Sequence, residues 1–170
     1  MKTSPNKAMK PTAPSRMRAS AVLSLCGGYR YCLRRTWDPA LPCLVFLCLN
    51  PSTATSIVTD ATTKKCIDIA STLGFGSIMI ANLFAARSPY PSHMKKSLSP
   101  IGPRNNRLLV RLARSGAKIV AAWGTHGGFR GRAAYVTAMF PSLSCLGRTK
   151  YGFPRHPLSV RKPYGLYPYP

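Results

Sequence analysis

Amide and hydroxyl side chains follow two short apolar runs of this sequence. Asn50 and Ser52 come directly after the run that ends at Leu49, and Asn82 lies near the end of the run 77–84. An Asn side chain offers two donors and an acceptor to the edge of a planar ligand, and a buried one must find partners. These residues are therefore candidates for binding a base-like ligand. The alternatives are that Asn50 caps a helix or turn and that Asn82 ties down a loop.

Histidine and arginine follow two further apolar runs. Trp123 ends the third run, and His126 lies in the glycine-rich segment after it, where a helix start would favour an anion. That segment lacks the lysine and the spacing of a phosphate-binding loop. Arg155 and His156 lie between two prolines, which are expected to hold them in one conformation. An ordinary surface loop is the alternative at this place.

The charge composition excludes several chemistries. The 170 residues include 25 Lys plus Arg but only three acids, Asp38, Asp60 and Asp68, so the net charge is +22. Without glutamate there is no Asp/Glu pair for glycoside hydrolysis, no carboxylate cage for calcium and no Glu base of a zinc protease. Chemistry must therefore use amides, hydroxyls, imidazoles and arginines, and we expect neither a metal nor a cofactor. The positive charge favours nucleic acid or a nucleotide as the partner.

Short apolar runs alternate with helical patterns in the middle of the chain. Runs that are apolar on both faces are typical of buried parallel strands. The runs cover 43–49, 77–84, 117–123 and 143–147, helices are predicted over 61–73, 105–115 and, more weakly, 127–140, and an edge strand over 29–35. This order predicts an α/β three-layer sandwich whose central sheet has about four mainly parallel strands. Ligands of such sheets bind beyond the carboxyl ends of the strands, where the polar residues lie.

The ends of the chain differ from its middle in composition. Residues 1–19 are basic and proline-containing and are predicted to be a disordered tail. Residues 20–160 are expected to form a single α/β domain, and 161–170 a Pro/Tyr-rich tail. The longest apolar run, seven residues, is far shorter than the roughly 20 of a membrane span, so no membrane association is expected. Six cysteines without Cys-x-x-Cys spacing indicate a reduced, cytoplasmic protein.

Several motifs occur in an order that resembles a known family. They are YRYCLRRTWDPALP (29–42), LVFLCLNPSTA (44–54), ANLFAARS (81–88), GPRNNRLL (102–109), VAAWGTHG (120–127) and CLGRTKYGFPRHPL (145–158). Over about residues 20–160 the chain resembles the bacterial family catalogued as domain of unknown function 1643. Thr55, Arg104 and Asn106 stand where that family is expected to carry acidic residues.

A more distant resemblance is to the uracil-DNA glycosylase superfamily. Its basis is Asn-Pro after one strand, Asn-Leu after the next and His-Pro-Leu-Ser near the end. The resemblance implies a glycosylase-like fold in which Asn50 positions a water, Asn82 pairs with a base and His156 stabilises the departing base. The water-positioning Asp common in those enzymes is absent from the Asn-Pro motif, and no clear helical pattern follows His156.

The leading hypothesis is a nucleic-acid-acting domain that excises a base by N-glycosidic bond hydrolysis, or processes nucleotides. Asn50 and His156 are the catalytic candidates, and the ligand-binding candidates are Ser52, Asn82, Trp123, His126 and Arg155. The alternatives are a non-catalytic nucleic-acid-binding module and an enzyme acting on a free nucleotide, with His126 and Arg155 on its phosphate. The sequence leaves open whether the protein is an enzyme and what its oligomeric state is.

Overall fold

A computed structural model describes residues 17–52 and 54–170 of the chain. Within these residues it contains seven strands and four α-helices. The strands are β1 (Arg18–Leu23), β2 (Arg30–Thr36), β3 (Cys43–Cys48), β4 (Ser77–Asn82), β5 (Lys118–Ala121), β6 (Leu143–Cys145) and β7 (Tyr167–Tyr169). The helices are α1 (Ala61–Thr72), α2 (Pro91–Lys96), α3 (Asn105–Ala113) and α4 (Arg132–Thr137), and 3₁₀ turns occupy Gly124–Gly131 and Pro157–Ser159.

All seven strands belong to one sheet, in the order β1-β2-β4-β3-β5-β6-β7. The four strands β4, β3, β5 and β6 pair in parallel. The β1–β2, β2–β4 and β6–β7 pairs are antiparallel. The α/β class is therefore confirmed, but the sheet is mixed and has seven strands rather than about four. The carboxyl ends of the parallel strands lie at one edge, as parallel pairing requires.

The two outermost strands were missed because they carry no core pattern. β1 is exposed along most of its length, so no apolar alternation marks it, and it leaves β2 inside the sheet instead of at its edge. β7 contains Pro168, which an edge strand tolerates because it needs no donor on its outer side. It pairs with β6, so the segment 161–170 that we expected to be a tail contributes a strand. Residues 1–16 of the predicted N-terminal tail lie outside the described residues.

Helices pack on both faces of the sheet. Along β3, Val45 and Leu47 join a core cluster with residues of α2, α3 and α4, whereas Leu44 and Phe46 join a second cluster with residues of α1. Because both faces of this strand are covered, its sequence is continuously apolar. The predicted runs extend one or two residues beyond the strands because residues such as Trp123 remain in the core after the ladder ends.

Helix α2 was not predicted. It has only six residues, begins at a proline in its first turn and buries Met94 alone, which is too short a pattern to read as a period of 3.6. No helix in the described part of the chain is both long enough and apolar enough to cross a membrane. All six cysteines lie in that part, and each is a free thiol.

Candidate functional site

A cavity of about 510 Å³ lies where β3, β4 and β5 end. Its volume is in the usual range of small-ligand sites. Among its lining residues are six of the seven site residues predicted from the sequence, namely Asn50, Ser52, Asn82, Trp123, His126 and His156. Its other lining residues were not predicted as site residues from the sequence. The polar ones are Arg30, Asp60 and the hydroxyl residues Thr62, Thr63, Ser88, Thr125, Thr149 and Ser159.

Strand register explains why distant sequence motifs meet here. Cys48 pairs with Asn82 across β3 and β4, and Leu47 pairs with Ala121 across β3 and β5. Asn50 and Trp123 each follow their strand's last paired residue by two positions. The three ends are therefore level, and their side chains reach the same cavity.

Asn82 is the most unusual polar residue of the site. Its side chain is 1% exposed, and neither Oδ1 nor Nδ2 has a hydrogen-bond partner in the described structure. Most buried side-chain polar atoms in proteins have one. An amide that lines a cavity with both its donor and its acceptor unused is equipped to bind a ligand group.

The backbone at Asn82 is held from behind by two buried side chains. Asn105 Nδ2 donates to the carbonyl oxygens of Asn82 and Leu83 at 2.9 and 3.0 Å. Arg132 Nε donates to the Leu83 carbonyl at 2.9 Å, and its Nη2 donates to Asn106 Oδ1 at 2.6 Å. Sequence reasoning identified Asn105 only as the start of a helix, and nothing in the sequence linked Arg132 to this strand.

Asn50 uses its amide nitrogen inside the protein. Nδ2 donates to the carbonyl oxygens of Ser88 and Pro51 at 2.9 and 3.1 Å, which ties the end of β3 to the segment after β4. Because both partners are acceptors, the nitrogen must face them, and the amide orientation is fixed. Oδ1 is then the polar atom that Asn50 has left for the cavity.

His156 precedes the 3₁₀ turn Pro157–Ser159 and caps it. Its Nδ1 accepts from the backbone N–H of Leu158 at 3.3 Å, so the neutral ring carries its proton on Nε2. Burial lowers the pKa of His156, and the charge of Asp60 opposes this in part. The ring is therefore a neutral Nε2–H donor at pH 7. The 3₁₀ turn after His156 is only three residues long, which is too short to give a helical pattern in the sequence. Leu158 within this turn is 54% exposed.

Asp60 brings a carboxylate to the cavity, which sequence reasoning missed. Its Oδ1 accepts from the backbone N–H of Thr63 at 2.8 Å and caps α1. The signal available in the sequence was an Asp directly before the helical pattern, which reads as a cap. Asp38 and Asp68 do not line the cavity.

Two buried arginines support the segment that leads to Asp60. Arg30 is 3% exposed and its Nη1 donates to the carbonyl of Ala54, while its Nε has no partner in the described structure. Arg35 Nη2 donates to the carbonyl oxygens of Thr55 and Val58 at 2.6 and 3.2 Å. Desolvation lowers the pKa of both arginines, although the charge of Asp60 opposes this.

Trp123 belongs to the core as well as to the cavity wall. It is 2% exposed and packs edge-on against Tyr169, with ring centroids 5.5 Å apart. Gly127 lies so close to its indole that a Cβ there would collide with the ring. The structure therefore buries Trp123 instead of presenting its face for stacking on a ligand.

The three remaining predicted residues lie at or beyond the rim. Ser52 is half-buried, and His126 is exposed with its Nδ1 3.4 Å from Lys95 Nζ. Arg155 does not line the cavity, and its Nε donates to the Arg148 carbonyl at 3.1 Å. In the ranges that the structure describes, no group of three or more His, Cys, Asp or Glu residues could hold a metal ion.

Fold and site together define an α/β domain with a ligand-sized cavity, lined by polar and apolar side chains, at the ends of its parallel strands. Residues 30–158 match the family described as "Protein of unknown function (DUF1643)", and the chain belongs to that family, as its motifs predict. No curated protein and no solved structure matches the chain. The resemblance to uracil-DNA glycosylases stays a prediction.

Proposed function

We propose that the cavity binds a nucleobase and that the protein hydrolyses the N-glycosidic bond of a nucleic acid or nucleotide. The observation that carries this proposal is Asn82, whose buried amide lines the cavity with donor and acceptor both unused. A nucleobase edge offers neighbouring acceptor and donor groups and satisfies both atoms at once.

Arg30 adds a third unpaired group to the cavity wall. Its Nε–H is buried without a partner and its positive charge is largely desolvated. A base carbonyl that accepts from Nε would compensate this desolvation. Leu49 and Ile80 supply apolar surface for the ring faces.

Asn50 and Asp60 supply acceptors for an attacking water. A water molecule has two protons to donate, and Asn50 Oδ1 and the Asp60 carboxylate line the same cavity. Bound to both, the water turns a lone pair toward the sugar. As the water oxygen bonds to the anomeric carbon, Asp60 accepts its proton as a general base.

His156 acts on the leaving side of the reaction. The bond between the anomeric carbon and the base nitrogen breaks, and its electron pair stays on the base. The neutral Nε2–H of His156 donates to the charge that develops there, which is the role of a preorganised donor. The released base then takes up a proton, so that one water has been divided between sugar and base.

The test is release of free base from oligonucleotides that carry uracil, mismatched thymine or deaminated purines. Removing a general base or a preorganised donor typically costs about 10²- to 10⁴-fold in rate. We expect losses of this size in Asp60→Asn and His156→Asn. Asp38→Asn is the matched control, because Asp38 also accepts one backbone N–H, from Ala40 at 2.9 Å, but lies outside the cavity.

Two results would contradict the proposal. A folded wild-type protein that releases no base from any substrate would remove the catalytic function and favour a binding module. Base release that is unchanged in both cavity variants would show that other residues carry the reaction.

A further inference from the structure

Three cationic or cation-capable side chains gather at the mouth of the cavity. Lys95 of α2 and Arg130 lie 5.6 and 5.1 Å from the ring centroid of Phe129, at cation–π distance. Lys95 Nζ also lies 3.4 Å from Nδ1 of His126, which lines the cavity. We call Lys95, His126 and Arg130 the rim cluster.

The contact between Lys95 and His126 determines which nitrogen of the imidazole is available as a hydrogen-bond donor. An ammonium group can only donate, so Nδ1 must accept and the neutral ring carries its proton on Nε2. The rim cluster therefore offers donors from all three members. His126 and Arg130 are exposed, and Lys95 is half-buried.

No carboxylate in the described structure compensates the rim cluster. In the described part of the chain the one ion pair joins Lys162 to Asp68, away from the rim cluster. Asp38 accepts from the Ala40 N–H. Asp60 lines the cavity but caps α1 and forms no ion pair with the rim cluster. Like charges held near one another without a counter-charge repel, and a bound anion relieves that repulsion. The Phe129 ring holds two of these charges, those of Lys95 and Arg130, close to each other.

We infer that the rim cluster is a phosphate subsite. Because His126 also lines the cavity, a phosphate bound at the rim belongs to the molecule whose base occupies the cavity. The identity of the ligand as a nucleotide or nucleic acid rests on the proposed function. The binding of a phosphate at the rim cluster does not. The shared chemistry is a phosphate group, which either a polynucleotide strand or a free nucleotide can supply.

The first experiment titrates inorganic phosphate into the full chain and follows the His126 ring signals by NMR. The variants are Lys95→Met and Arg130→Met, combined, and the matched control is Lys96→Met, which changes the exposed neighbouring lysine of the same helix. We expect saturable shifts in wild type and control that disappear in the double variant. Equal shifts in all three proteins would overturn the subsite.

The second experiment measures binding of a nucleoside, its 5′-monophosphate and a short single-stranded oligonucleotide at several salt concentrations. Each single-strand phosphate contact contributes about −0.7 to the slope of log affinity against log salt. The double variant should lower oligonucleotide affinity about tenfold or more and flatten the slope by about 1.4, with nucleoside binding unchanged. A parallel loss for the monophosphate identifies a free nucleotide as a sufficient source of the phosphate, and a loss for the oligonucleotide alone identifies the strand.

The outcomes separate this inference from the proposed function. Loss of phosphate binding in the double variant supports the subsite even if no base is ever released. Oligonucleotide affinity and salt slope equal to those of Lys96→Met would overturn the subsite even in an active glycosylase.

Discussion

Two neighbouring parallel strands lead into the cavity through asparagines whose hydrogen bonding is opposite. Asn50, after β3, donates to two backbone carbonyls, whereas Asn82, at the end of β4, uses neither amide atom within the described structure. The same type of side chain thus stabilises the backbone at Asn50 and forms no hydrogen bond with the protein at Asn82. The residue type alone does not show this difference. The hydrogen bonds do, because the Asn50 nitrogen is used within the protein, whereas both amide atoms of Asn82 are left for a ligand.

The largest expected effect concerns the support behind Asn82. Arg132→Met removes the bonds to the Leu83 carbonyl and to Asn106 Oδ1, both at a buried guanidinium. Hydrogen bonds to charged groups contribute roughly 1.5–3 kcal/mol, so we expect the free energy of unfolding to fall by about 3 kcal/mol, measured in urea. Arg111→Met, on the exposed side of α3, should change it little. Similar values for the two variants would show that the strand end needs no support from Arg132.

The comparison itself is tested by giving both asparagines an apolar side chain of similar size. Asn82→Leu removes two unpaired buried groups and should raise the unfolding free energy by about 1–2 kcal/mol while abolishing base binding. Asn50→Leu leaves the carbonyls of Ser88 and Pro51 without their donor and should lower it by about 1–2 kcal/mol. Thermal and urea unfolding without ligand measure both. Equal destabilisation by the two changes would show that the two asparagines do not differ in their contribution to stability.

The smallest effect is the pH dependence due to His156, whose Nδ1 is used internally like the Asn50 nitrogen. Burial lowers its pKa below the ordinary 6.5, so the unfolded chain binds the proton more readily. Its contribution to stability is complete above about pH 6.5 and is lost as the pH falls through the lowered pKa. His156→Asn, which keeps an acceptor for the Leu158 N–H, should therefore lose less Tm between pH 7.5 and 5 than wild type. His93→Asn, at an exposed position, should follow the wild-type curve.

Sequence patterns predicted the elements that have a strong local signal. The four apolar runs match β3, β4, β5 and β6 because a strand buried on both faces needs apolar residues throughout. Helices α1 and α3 start where predicted, since each carries a periodic apolar face and ends before glycine. β1, β7 and α2 were not predicted because they are short or exposed. For β1 and β7, pairing with β2 and β6 decides the structure more than their own residues do.

The sequence by itself determined the α/β class, the family and the place of the polar motifs just after buried strands. These three features follow from local rules, because the apolar periodicity and the positions of polar residues can be read from the sequence alone. Only the tertiary structure decided that Asp60 and Arg30 line the cavity, that Arg155 does not, and that Asn82 lacks partners where Asn50 has them. Hydrogen-bond satisfaction depends on which groups come together in the folded chain. Leu83 and Arg132, 49 positions apart, form a hydrogen bond only after the strands have taken their order.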